Sequence, residues 1–217
     1  SEAQCRERVG DLAMRKVYTY YQPTTNSGDN GLLDVWKASW RSKCWDPIIL
    51  NESHAAQHTD FGNLDEKLSA LPTVNSKLYE RACYLRYVAM SVVGGGVTVD
   101  NDVSNMEFWP TDVPDPLPER LHVSSIPDTP ALMYATGEEY DRVIRLMANY
   151  TLTPEEAIKD RPPTSDMYIM VELISRREVD KIPVDPLQIH EGRSKAVPSK
   201  QSVDKSHTEK FRDASLR

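Results

Sequence analysis

Gly94-Gly95-Gly96-Val97-Thr98-Val99-Asp100-Asn101-Asp102 is the stretch on which the reading of this chain turns. Three glycines, a short β-branched run and two acids mark a helix stop, a strand, and a strand end that carries charge. Upstream, Leu78, Ala82, Leu85, Ala89 and Val92 recur at helical spacing, so one apolar stripe of a helix over about Leu78–Val93 leads into the glycines. In an open α/β sheet, ligands bind at the carboxyl ends of the strands. Successive side chains of an extended chain alternate, which predicts that Asp100 and Asp102 stand about 6–7 Å apart and aim the same way. Two hard oxygen ligands in that place suit Mn²⁺ or Mg²⁺, ions that complete their shell with phosphates and water. Eighteen aspartates make about one or two D-x-D triplets expected by chance, so the weight falls on the order helix, glycines, strand, acids. The competing reading is a solvated acidic turn.

Working outward toward the N-terminus, Val17-Tyr18-Thr19-Tyr20-Tyr21 is a β-branched and aromatic run closed by Gln22-Pro23, and it predicts a strand. Polar residues and glycines from Thr24 to Gly31 follow as a loop. Leu33, Trp36 and Trp40 then predict an amphipathic helix ending near Lys43, and Pro47-Ile48-Ile49-Leu50 a strand covered on both faces. Strand, helix, strand in that order predicts an α/β fold with a mostly parallel sheet flanked by helices. Toward the C-terminus the chain is proline-rich from Pro110 to Pro130, with short strands expected at Leu121-His122-Val123 and Ala131 to Ala135. Thr136 and Glu139 form a capping-box pattern ahead of a helix carrying Tyr140, Val143, Ile144 and Met147. Thr153-Pro154-Glu155-Glu156 repeats that logic, and Thr164-Ser165-Asp166 precedes a helix with Met167, Met170, Val171 and Ile174.

At 217 residues, 39% hydrophobic and 27% charged, the chain is long enough for one domain with a substantial core. The polar ends, about 1–14 and 192–217, read as mobile. A net charge of −7 and a pI near 5.3 argue against a nucleic-acid backbone as partner. No apolar run approaches the roughly 20 residues of a membrane helix, and SEAQCRERVGDLAMRK lacks the apolar centre of a signal peptide. Cys5, Cys44 and Cys83 are odd in number and widely spaced, which reads as free thiols in a cytoplasmic protein, with Cys83 a small core residue.

Arg86 falls within the apolar arc of the helix before the glycines, about 80° from Leu78. A guanidinium there keeps its charge and needs an anion, with Glu80, the Asp100/Asp102 pair or a ligand diphosphate as candidates. Asp166, at a helix start, is a candidate general base or else a helix cap that complements the dipole. His54, His58, His122 and His190 lack ligand spacing and read as ordinary histidines.

The run from Tyr79-Glu80-Arg81-Ala82-Cys83-Tyr84-Leu85-Arg86-Tyr87 through Gly94-Gly95-Gly96 to Asp100-Asn101-Asp102 resembles the D-x-D region of GT-A-fold glycosyltransferases, in particular the sugar-binding D-x-D families. The opening strand and the segment Trp36 to Asn51 add to a resemblance that covers roughly residues 16–103. It implies a metal-dependent glycosyltransferase that uses a nucleoside-diphosphate sugar, with uridine the base commonest in such families, and a glycan or glycoprotein acceptor. Under it, Thr19, Tyr20 and Tyr21 would hold base and ribose. Asp100 would touch the ribose or a metal-bound water, Asp102 would ligate the metal, and Arg86 would face the nucleotide-sugar. His207 is the candidate for a late histidine contacting metal or diphosphate. Two other classes remain open: a metal-dependent phosphohydrolase, which lacks an aspartate nucleophile directly after the first strand, and a non-catalytic nucleotide-sugar-binding module.

Overall fold

A computed structural model of the chain describes residues 2–23, 30–73, 75–124, 130–151 and 165–182. Its elements are α1 (Glu2–Val9), β1 (Arg15–Tyr20), α2 (Asn30–Arg41), β2 (Trp45–Leu50), α3 (Glu52–Ala55), α4 (Phe61–Ala70), α5 (Lys77–Val92) and β3 (Gly95–Val99). They continue with β4 (His122–Val123), β5 (Leu132–Thr136), α6 (Gly137–Ala148), α7 (Asp166–Ser175) and β6 (Asp180–Lys181). The expected helix from Thr153 onward, His190, His207 and the tail lie outside the described residues.

The strands form one mixed sheet in the order β2-β1-β3-β5-β4-β6. β1 pairs in parallel with both β2 and β3, and β4 with β6, while β5 runs against its neighbours β3 and β4. The α/β architecture with a largely parallel sheet is therefore as the sequence predicts. Because β2 lies on one side of β1 and β3 on the other, the chain reverses its direction of winding at β1, and a crevice opens between the carboxyl ends of β1 and β3.

Alternation along the strands divides the core in two. Val17, Val97, Val99, Leu132 and Tyr134 face a cluster with Trp36 and Trp40 of α2, Trp45 and Phe108. Trp40 meets Trp45 and Phe108 edge-on, and Trp45 and Phe108 stack at 5.6 Å, the offset geometries that ring quadrupoles favour. Trp40 Nε1 donates to the Val103 carbonyl and Trp45 Nε1 to that of Phe108, which pins the chain after β3 across this face. Tyr18, Met133 and Ala135 point the other way, into the layer built by α3 to α7.

α5 sits at the centre of that layer, against β1, β3, α3, α4, α6 and α7. Tyr84 to Met90 are all buried, so the helix has no solvated face over two turns. The expectation of a single stripe beginning at Leu78 fails at its start: Leu78 is 68% exposed. The glycines after α5 meet α6 backbone to backbone. Gly95 has φ +88°, and a Cβ there would lie 2.4 Å from the Ala135 carbonyl oxygen; Gly137 N donates to the Gly94 carbonyl. Only residues without side chains allow the end of α5 and the start of α6 to approach this closely.

Two local expectations need correction. Thr136 accepts from the Glu139 amide, but the Glu139 carboxylate turns to Leu121 N and Arg142, so the capping box is only half made. Cys5 and Cys44 form a disulfide, with Cα atoms 5.3 Å apart, and Cys83 alone is free. The bridge holds α1, read from composition as a mobile end, against the start of β2, with Val9 and Trp109 packed around it. Arg8 lies over the Trp109 ring at 3.7 Å. Free thiols were the ground for a reducing cytosol, and the bridge removes it.

Candidate functional site

A cavity of about 300 Å³ opens at the carboxyl ends of β1 and β3. Thr19, Tyr20, Tyr21 and Gln22 form its β1 side, Asp100, Asn101 and Asp102 its β3 side, and Arg86 and Asp166 its depth. Every described residue singled out in the sequence for donor or metal binding therefore lines one cavity. It lies at the reversal of strand order, where the fold leaves a crevice whatever the ligand.

The two aspartates reach it differently from the prediction. β3 ends at Val99, and Val103 N donates to the Asp100 carbonyl at 3.1 Å, so Asp100 to Val103 form a turn rather than extended chain. Asn101 is the reason legible in the sequence: its side chain favours turns over strands. Both residues still line the cavity, and the Asp102 charge adds to the rise that burial imposes on the Asp100 carboxyl. Asp100 N donates to the Ala131 carbonyl, which fixes the start of the turn to the segment entering β5.

Arg86 is 7% exposed and answers its charge with two carboxylates. One Nη donates to Asp100 Oδ1 and the other to Asp166 Oδ2 at 2.9 Å. The guanidinium is held charged, its pKa raised against the effect of burial by those neighbours. Glu80, a candidate partner, does not meet it. Instead Glu80 accepts from the Asp166 amide at 2.8 Å and from Thr73 Oγ1 and Asn75 Nδ2.

Asp166 is thus neither an exposed acid nor a cap. Ser165 is the N-cap of α7, accepting from Tyr168 N, and Asp166 is the first helical residue, 4% exposed. Burial pushes its carboxyl up to about 6, partly opposed by Arg86, with Glu80 and Asp100 adding to the rise. Burial also raises Asp100, again with Arg86 opposing. A carboxyl group poised near neutral pH at the bottom of a cavity has the protonation behaviour of a general acid or base.

Three carboxylates, Asp100, Asp102 and Asp166, line the cavity with Glu80 behind Asp166, and Arg86 is the sole cationic residue among the described lining. The Asp102 carboxylate makes no hydrogen bond among the described residues. No group of three His, Cys, Asp or Glu placed to hold a metal occurs among them either. The donor set therefore fits a hard divalent cation held by one or two carboxylates that takes its remaining oxygens from a ligand, and does not fit an all-protein cage. An anionic diphosphate entering here meets net negative charge and needs such a cation with it.

Tyr79, which the sequence reading gives no role, and Ala82 and Cys83, which it assigns to the apolar stripe and the core, line the cavity together with Arg86. They stand seven, four and three positions before it, so helical geometry alone places them on its face of α5. Thr19 Oγ1, Tyr20 Oη and Gln22 Oε1 are buried without a partner among the described residues, and all three residues line the cavity. His54 and His58 serve local structure, capping α3 and pairing with Asp141 at 2.8 Å. No protein-family model matches the chain, and no curated protein or solved structure matches it.

Proposed function

We propose that the chain is a glycosyltransferase of the GT-A kind, drawing on a nucleoside-diphosphate sugar, with uridine as the base, and a divalent cation, Mn²⁺ or Mg²⁺. The observation that carries the reading is the meeting of Asp100, Asp102 and the orphaned polar atoms of β1 in one acidic cavity at the β1/β3 reversal. Thr19, Tyr20 and Tyr21 take the base and ribose. Asp102 holds the cation, and Asp100, oriented by Arg86, takes a ribose hydroxyl or a metal-bound water. When bound, the cation supplies Lewis-acid stabilisation of charge on the departing diphosphate. Asp166, ionised above about pH 6, is the residue for the acceptor hydroxyl's proton. His207 remains the candidate for a further contact to the diphosphate.

The test is calorimetry of UDP binding with and without MnCl₂, followed by donor hydrolysis. Binding is expected only with the metal, and Asp102→Ala is expected to lose it and to lower turnover by about 10²–10³-fold with the thermal transition unchanged. Metal-independent UDP binding, or a fully active Asp102→Ala variant, refutes the reading. Tight binding with no turnover on any donor would assign a binding module instead.

A further inference from the structure

The mouth of the cavity on the α5 side carries apolar surface that the donor reading leaves unused. Leu78 and Tyr79, on the first turn of α5, are 68% and 55% exposed. Tyr79 belongs to two hollows at once: the main cavity, and a shallow one beside it formed with Asn75, Ser76 and Leu78. The surface is therefore continuous with the proposed reaction centre. More than half of Tyr79 stays open to solvent, while Cys83, one turn along the helix, lines the same cavity.

We infer that this surface is the acceptor platform, on which a pyranose ring of a neutral glycan stacks against Tyr79 with its reactive hydroxyl directed into the cavity. The inference rests on the donor-site reading above. A sugar ring presents axial C–H groups on one face and hydroxyls at its rim. The electron-rich face of a tyrosine matches the first, and the amide of Asn75 and the hydroxyl of Ser76 flank it for the second. A tyrosine has only two side-chain torsions to fix on binding, a small entropic cost that suits a weakly attractive, uncharged ligand. The acidic cavity opposes an anionic one.

Saturation-transfer NMR with chitotriose, maltotriose, mannotriose and galactotriose, each with and without UDP and MnCl₂, tests this. At least one trisaccharide is expected to receive saturation, most strongly on the C–H protons of one ring. The dissociation constant should rise at least tenfold in Tyr79→Ala and stay within about threefold in Tyr79→Phe, with circular dichroism verifying the fold. Val35→Ala, on exposed α2, should leave it unchanged. Absence of transfer to all four sugars while UDP and Mn²⁺ still bind overturns the platform and leaves the donor site standing. Undiminished transfer to Tyr79→Ala also overturns it. Failure of UDP and Mn²⁺ to bind sinks the donor reading, whatever the sugars do. Concentration-dependent dimerisation abolished by Leu78→Ser, without sugar binding, would reassign the surface to a second copy of the chain.

Discussion

Arg86 and Asp166 stand eighty residues apart in sequence and 2.9 Å apart in the folded chain, each almost wholly buried. Their contact fastens the N-terminus of α7 to the central helix α5, and through Asp100 to the end of β3. One ion-pair network thus fixes the relative positions of three elements that border the cavity.

Removing the cation from this network leaves Asp100 and Asp166 facing each other without compensation. Arg86→Gln is expected to destabilise the fold by about 3–5 kcal/mol, the usual result of breaking a buried pair on one side. Urea unfolding checks it. Asp166→Asn in the Arg86→Gln background should recover part of the loss, and strict additivity of the two changes would contradict the coupling.

Asp166 also gives the protein a pH signature with a definite sign. Its folded-state pKa, about 6, lies above the ordinary carboxyl value, so the folded chain holds this proton more tightly than the unfolded chain. The contribution to stability is complete below about pH 4 and is lost as pH rises through about 6. Relative to Asp166→Asn, the native chain should lose roughly 1–3 kcal/mol between pH 4 and 7. A flat difference across that window, measured by chemical denaturation in parallel, would contradict the assignment.

The disulfide closes a loop between residues 39 positions apart. Its loss, by reduction or in Cys5→Ser/Cys44→Ser, is expected to cost about 2–4 kcal/mol through the entropy returned to the unfolded chain. Protease cleavage should then begin in α1, whose main attachments are the bridge, Val9 and the Arg8–Trp109 contact. Thiol titration of the denatured chain should find one reactive cysteine before reduction and three after.

Gly95→Ala combines a left-handed backbone with a Cβ aimed at the Ala135 carbonyl and the Gly137 amide. Backbone on the opposing side has no rotamer to yield, so destabilisation of at least about 1–3 kcal/mol is expected. Gly94→Ala, at φ +85° but facing open space, should cost less. Thermal unfolding of the two variants compares the clash with the strain alone.

How far the sequence carries this description depends on the range of the forces involved. β1, α2, β2, α5, β3 and α7 were legible because period and punctuation are local: the Leu33/Trp36/Trp40 spacing and the three glycines need no knowledge of what lies opposite. β6 was not legible, since two residues, Asp180 and Lys181, carry no period and owe their pairing to β4. The Cys5–Cys44 bridge was misread for a related reason: spacing says nothing about whether the fold brings α1 to β2. At the site, Arg86 betrayed itself as a charge in an apolar arc. Its partner Asp166 was visible only as a helix start, and the bond between them belongs to tertiary structure. The turn at Asp100 to Val103 overrode the strand alternation, and Asn101 was the local hint.

The contact of Gly94 with Gly137 joins α5, β3, β5 and α6 at one corner without intervening side chains, which have rotamers to adjust. That corner behaves as an anvil. At the other end of β3, beside the cavity, the side-chain carboxylate of Glu80 ties Thr73, Asn75 and the first amide of α7 together. Loosening α7 from α5 therefore requires exchange at this acid and at the Arg86–Asp166 pair together, so the two release as one latch.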